Sequence, residues 1–121
     1  MLTNYENATK VYLACGNTDM RKSIDGLTAI VAAVYQLDLF NDSFFVFCNK
    51  QRNKIKILRW DRNGFWLYYK RLEKGRFKWP DCKERSQQTI AIDRRQLQWL
   101  LDGLTLEQKL AHKPVTARCV V

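Results

Sequence analysis

Two strand-forming runs rich in isoleucine, leucine and aromatic residues, Lys54–Trp60 and Phe65–Leu72, are separated only by Asp61-Arg62-Asn63-Gly64. A tight turn between two such runs commits the chain to an antiparallel hairpin. Read as a type I turn with Gly64 in the left-handed bulge position, it sets Trp60 opposite Trp66, Leu58 opposite Tyr68 and Lys56 opposite Lys70. Alternation then assigns Ile55, Ile57, Phe65, Leu67 and Tyr69 to a core face, and Lys54, Lys56, Trp60, Trp66, Tyr68 and Lys70 to an outer face. Phe44–Asn49 is a preceding strand joined through the turn Lys50–Asn53. Beyond Glu73-Lys74-Gly75, the segment Arg76–Trp79 reads as a short edge strand stopped by Pro80.

Upstream, Lys10–Cys15 reads as a buried strand ended by Gly16-Asn17. Thr18 is the expected N-cap of a helix whose apolar stripe is Met20, Ile24, Leu27, Val31 and Val34, widened by Ile30 and Leu37. Gly26 within it suggests close packing on a sheet. Downstream, Thr89–Ile92 is a last short strand. A helix follows from Arg94 to Asp102, with Asp93 and Gln96 spaced as a capping box and Gly103 past its end. The expected fold is α+β: an antiparallel β-meander of four to five strands with two helices packed on one face, in the order β-α-β-β-β-β-α. The whole of 1–121 reads as a single domain, with 1–9 an N-terminal extension and 105–121 a variable C-terminal tail.

The longest strongly apolar run, Leu27–Leu37, is about half of what a membrane span needs, and the polar residues 1–10 lack the pattern of a secretory signal. A cytoplasmic protein is expected, with its four cysteines reduced. Cys15, Cys48, Cys82 and Cys119 lie 33, 34 and 37 residues apart. That spacing lacks the close pairs of zinc sites, so ordinary core thiols are expected and no metal or other cofactor. The stretch Gly16–Lys22 lacks the second glycine and the Gly-Lys-Ser/Thr ending of a phosphate loop. Asp61, Asp93 and Asp19 sit where a turn, a cap and a first helical turn want acids, leaving no carboxylate set for metal-dependent strand cleavage. No small-molecule substrate and no enzyme activity are indicated.

The charge is concentrated. Of 21 Lys and Arg, 13 fall in Lys50–Arg85 against only 4 Asp and Glu, while the remainder of the chain balances 8 against 8. Seven aromatic residues lie among these cations between Trp60 and Trp79. Cations interleaved with rings attract phosphates and hold bases. The candidate nucleic-acid-binding residues are therefore Lys50, Arg52, Lys54, Lys56, Arg59, Trp60, Arg62, Trp66, Tyr68, Lys70, Arg71, Lys74, Arg76 and Lys78, with double-stranded DNA as ligand. A helix-turn-helix built from Arg94–Asp102 and Thr105–Ala111 would offer a DNA groove only Lys109 against Glu107. The rival reading is a protein interface, since Arg, Trp and Tyr also dominate interface hot spots.

Five segments carry a resemblance: Val11–Leu27 (VYLACGNTDMRKSIDGL), Phe45–Lys50 (FVFCNK), Lys54–Leu58 (KIKIL), Trp60–Pro80 (WDRNGFWLYYKRLEKGRFKWP) and Arg94–Leu104 (RRQLQWLLDGL). Over about four fifths of its length the chain closely resembles the TnpB accessory family of bacterial insertion sequence family 66, which is distinct from the RNA-guided nuclease of the same name. The resemblance implies a non-catalytic accessory role in transposition, encoded beside a separate transposase that holds the acidic triad. That transposase is then a candidate partner. The resemblance assigns no residue a chemical role, and from Thr105 onward no family motif is present.

Overall fold

Strand β2 (Ser43–Cys48) is buried at all six positions. Such a strand needs neighbours on both edges and cover on both faces. The computed structural model describes residues 10–84 and 86–108, and in it β2 is the centre of a five-stranded sheet. The other elements are β1 (Lys10–Ala14), α1 (Ile24–Ala29, continuing as a π-helical turn over Ile30–Val34), β3 (Lys54–Asp61), β4 (Gly64–Arg71), β5 (Thr89–Ile92) and α2 (Arg94–Leu101). The strand order is β4-β3-β2-β1-β5. The expected α+β class and the order β-α-β-β-β-β-α hold. The expected extension 1–9 and the tail beyond 108, with His112 and Cys119, lie outside the described residues.

Two expectations are corrected. The sheet is mixed: β2-β3-β4 form the antiparallel meander, but β1 pairs in parallel with β2, placing Val11 beside Phe44 and Leu13 beside Val46. A parallel pair requires a crossover, and α1 supplies it. The two helices also lie on opposite faces. Leu27 and Val31 of α1 pack on Ala14, Phe45, Phe47 and Leu58, whereas Leu97 and Leu100 of α2 pack on Val11, Leu13, Phe44, Val46 and Ile55. Both faces are apolar, so two helices on one face would have left the other in water at about 25 cal/mol per Å².

The segment before α1 is not helical. Thr18 is buried and its amide donates to the Cys48 carbonyl at 2.8 Å, so it is held against the end of the central strand β2 instead of capping. Ser23 takes the N-cap position without a side-chain bond. At the far end the Tyr35 amide donates five residues back, to Ile30 at 3.0 Å. That wider turn shifts the phase of the stripe: Val34 stands 51% exposed, while Tyr35 packs inward beside the expected Leu37. A Cβ on Gly26 would meet the Lys22 side chain at 3.2 Å, not the sheet.

Helix α2 follows its signals. Asp93 accepts from the Gln96 amide at 2.8 Å and Gln96 accepts from the Asp93 amide at 3.1 Å, completing the capping box. Gly103, at φ +85°, closes a Schellman motif in which Gly103 N donates to Leu100 O and Leu104 N to Trp99 O.

The cysteine expectation is half wrong. Cys48 is a buried free thiol that burial holds protonated by raising its pKa. Cys15 and Cys82, however, form a disulfide with Cα atoms 5.9 Å apart. The bond ties the end of β1 to the 72–88 loop across 67 residues of sequence, a pairing that linear spacing cannot reveal. A closed loop of that length restricts the unfolded chain, so its reduction is expected to lower stability by about 2–4 kcal/mol, read as a lower denaturant midpoint with an altered slope. Asp93→Ala is expected to cost about 1 kcal/mol in the same measurement.

Candidate nucleic-acid interface

The hairpin register decides which charged side chains share a face. Asp61 pairs with Gly64, leaving a two-residue loop in which Arg62 takes φ 55°. This is a primed turn and not the expected bulge. The pairs are Arg59 with Trp66, Trp60 with Phe65, Ile57 with Tyr68 and Lys56 with Tyr69. A slip of one residue inverts β4 relative to β3. Ile55, Ile57, Arg59, Trp66, Tyr68 and Lys70 therefore share the α2 side, and Lys54, Lys56, Leu58, Trp60, Phe65, Leu67, Tyr69 and Arg71 the α1 side. The expected Lys56–Lys70 pair does not form.

Several candidate cations are occupied in holding the fold. Lys56 Nζ donates to the Met20 and Lys22 carbonyls, each at 2.8 Å, and lies 5.9 Å over the Tyr69 ring. It thereby fastens the segment before α1, beside a surface hollow that Lys54 and Arg21 also line. Lys70 Nζ donates to Leu101 O at 3.0 Å, neutralising part of the negative end of α2. Arg52 Nη1 donates to Gly16 O at 2.7 Å, and its guanidinium sits 5.7 Å from the Trp79 ring centroid. Arg59 lies 3.7 Å from Asp42 and, like Arg94, over the Phe44 ring. Arg71 pairs with Glu73 at 3.0 Å. Trp60 packs edge-on against Phe40 and Phe65.

Lys50, Arg62, Lys74, Arg76 and Lys78 are exposed and make no side-chain hydrogen bond or ion pair with any described residue. Four of them cluster. The 72–88 loop is anchored where Leu72 N donates to Asn53 O (2.8 Å), where Phe77 N donates to Arg52 O (2.7 Å) and where Trp79 Nε1 donates to Ala14 O (3.1 Å). Phe77 is buried at 3% exposure. Arg76–Trp79 is thus not the expected edge strand. It is a strap whose odd-numbered rings point inward while Lys74, Arg76 and Lys78 stand outward. Lys50 lies in the adjoining β2–β3 turn. Arg62 is at the other end of β3, roughly 25 Å away for eight extended residues.

On the α2 side, a hollow of about 320 Å³ opens between the helix and the hairpin, lined by Phe44, Ile55, Ile57, Tyr68, Leu97 and Leu101, with Lys70 and Arg94 among its polar groups. Arg94 was not among the expected binding residues. Its position directly after the Asp93 cap aims it at the sheet, but only the tertiary packing shows which face. Trp66 and Tyr68 stand 53% and 43% exposed at the side of this hollow. Their rings are stacked, 6.0 Å between centroids and 11° between planes. Asp61 Oδ2 accepts from Trp66 Nε1 at 3.0 Å.

Asp19, Asp61 and Asp93 have local partners. The Arg21 guanidinium donating to Asp19 holds that carboxyl down to about 2. Asp61 is committed to Trp66, and Asp93 to its helix. Among the described residues no three His, Cys, Asp or Glu converge as metal ligands, and no helix is long and apolar enough to cross a membrane.

Residues 9–111 match the family model for IS66 Orf2-like proteins. Among curated relatives, the uncharacterised protein y4hO of Sinorhizobium fredii is 36% identical over 104 residues, covering 86% of this chain and 87% of its own. A second uncharacterised protein of that organism, y4jC, is 31% identical over 75 residues, covering 62% of this chain and 64% of its own. No solved structure matches.

The division between occupied and outward cations has a direct test in stability. Lys56→Ala leaves two carbonyls without their charged donor and is expected to cost about 1–2 kcal/mol in chemical denaturation. Lys78→Ala should stay within about 0.5 kcal/mol of the parent protein.

Proposed function

The chain belongs to the family of IS66 Orf2-like proteins, accessory proteins of insertion sequences, and on that premise we propose that it serves transposition without catalysis, by binding double-stranded DNA. The observation that carries this reading is the outward cluster of Lys74, Arg76 and Lys78 on an anchored strap with Lys50 in the adjoining turn, in a protein whose sequence outside Lys50–Arg85 is charge-balanced. Such a cluster suits a row of phosphates and reads no base edge, so binding with little sequence preference is expected. The charge on Lys56, Lys70 and Arg52 adds to the attraction, because their hydrogen-bond partners are neutral carbonyls. Work on the element's DNA would place the protein in the bacterial cytoplasm. There the Cys15–Cys82 pair meets reducing thiols, and the anchors at Leu72, Phe77 and Trp79 would have to hold the strap alone.

The test is fluorescence anisotropy of the purified protein on duplex DNA from the ends of the element, across a range of salt. With four phosphates engaged, log K should fall with log salt at a slope of roughly −3 to −4. The triple variant Lys74→Ala, Arg76→Ala, Lys78→Ala should flatten that slope by roughly 2 to 3 while keeping the thermal midpoint. Absence of DNA retention at low salt would overturn the proposal and favour a protein interface, with the element's transposase as the first partner to try.

A further inference from the structure

The exposed Trp66–Tyr68 pair and the hollow beside it are not explained by duplex binding. We propose that this face takes the unpaired bases of single-stranded DNA, an inference that rests on the nucleic-acid reading above. Two adjoining large rings exposed on one face, rimmed by polar groups, make a contiguous patch of the kind that marks an interaction surface. Here two are held nearly parallel, and the Trp66 indole is oriented by Asp61. Bases stacked on them would share one orientation, which is how sequence-tolerant single-strand sites are built.

The adjoining hollow has the volume of a small-ligand pocket and mainly apolar walls. It is recessed between α2 and the hairpin. A paired base keeps its faces inside the duplex stack and cannot enter such a recess, whereas an unstacked base can. Charge complementarity commits the site to a polyanion. Lys70 leaves net positive charge at the site because its partner is a helix-end carbonyl and not a carboxylate, and Arg94 lies over the Phe44 ring in the same wall. The acid nearest the aromatic pair, Asp61, is turned to the Trp66 indole.

The experiment compares the full-length protein on a mixed-sequence single-stranded 12-mer, on the matching duplex, and on a 12-mer of abasic sugar-phosphate units. The double variant Trp66→Ala, Tyr68→Ala should weaken single-strand binding at least 10-fold and duplex binding less than 2-fold. On the parent protein, the abasic strand should bind at least 10-fold more weakly than the 12-mer, a comparison that needs no variant to fold. Equal binding of the abasic strand and the 12-mer would overturn the proposal. So would a folded double variant that loses neither ligand, or both equally. If the duplex binds and the single strand shows no dependence on bases, this inference alone fails. If neither binds at low salt, the nucleic-acid reading fails with it.

Discussion

The exclusion of water from both faces of β2 governs everything built around it. Phe45 and Phe47 point one way, Phe44, Val46 and Cys48 the other, and all are nearly or fully buried. Each face needs an apolar layer. The crossover from β1 brings α1 to one, and the C-terminal helix α2, with Phe77 from the 72–88 loop, covers the other. Because α2 and the strap between them leave part of β3 and β4 uncovered on their side, the hollow beside Tyr68 is a by-product of how the second layer is shared.

Some of this was legible in the sequence. The cap at Asp93, the Schellman glycine at position 103 and the existence of the β3–β4 hairpin depend on neighbours within a few residues, and local chemistry specifies them. The charge concentration in Lys50–Arg85 was also plain. What was not legible depends on partners far along the chain. The hairpin register turned on whether Gly64 or Arg62 adopts the left-handed backbone, and a non-glycine residue took it. The disulfide joins residues that only the sheet brings together. The unbroken apolar run of β2 did carry the sign of a strand covered on both faces, a pattern more typical of parallel pairing than of a meander. Position along the sequence also could not separate Lys56, bonded to two carbonyls, from Lys78, which bonds to no described residue.

That separation matters for how charge is distributed. Lys56, Lys70 and Arg52 use their donors internally on carbonyl oxygens and not on carboxylates, so the fold gains hydrogen bonds and keeps most of the field. The protein can therefore tie its most basic segment into the core and stay strongly positive around it. Within the basic segment, Arg59 faces Asp42 and Arg71 faces Glu73, and there the charge is offset.

The strap from Leu72 to Cys82 carries a thermodynamic consequence. Its backbone is fastened at Leu72 and Phe77 and its course at Trp79 and Cys82, and Gly75, at φ +82°, makes the one left-handed turn it needs. A floppy basic segment must surrender backbone freedom of about 1–2 kcal/mol per residue when it settles on a polyanion. A segment already immobilised by its own fold gives up only the rotamers of its lysine and arginine side chains. Its association should then be driven largely by the entropy of released counterions, with little heat exchanged and little change in heat capacity.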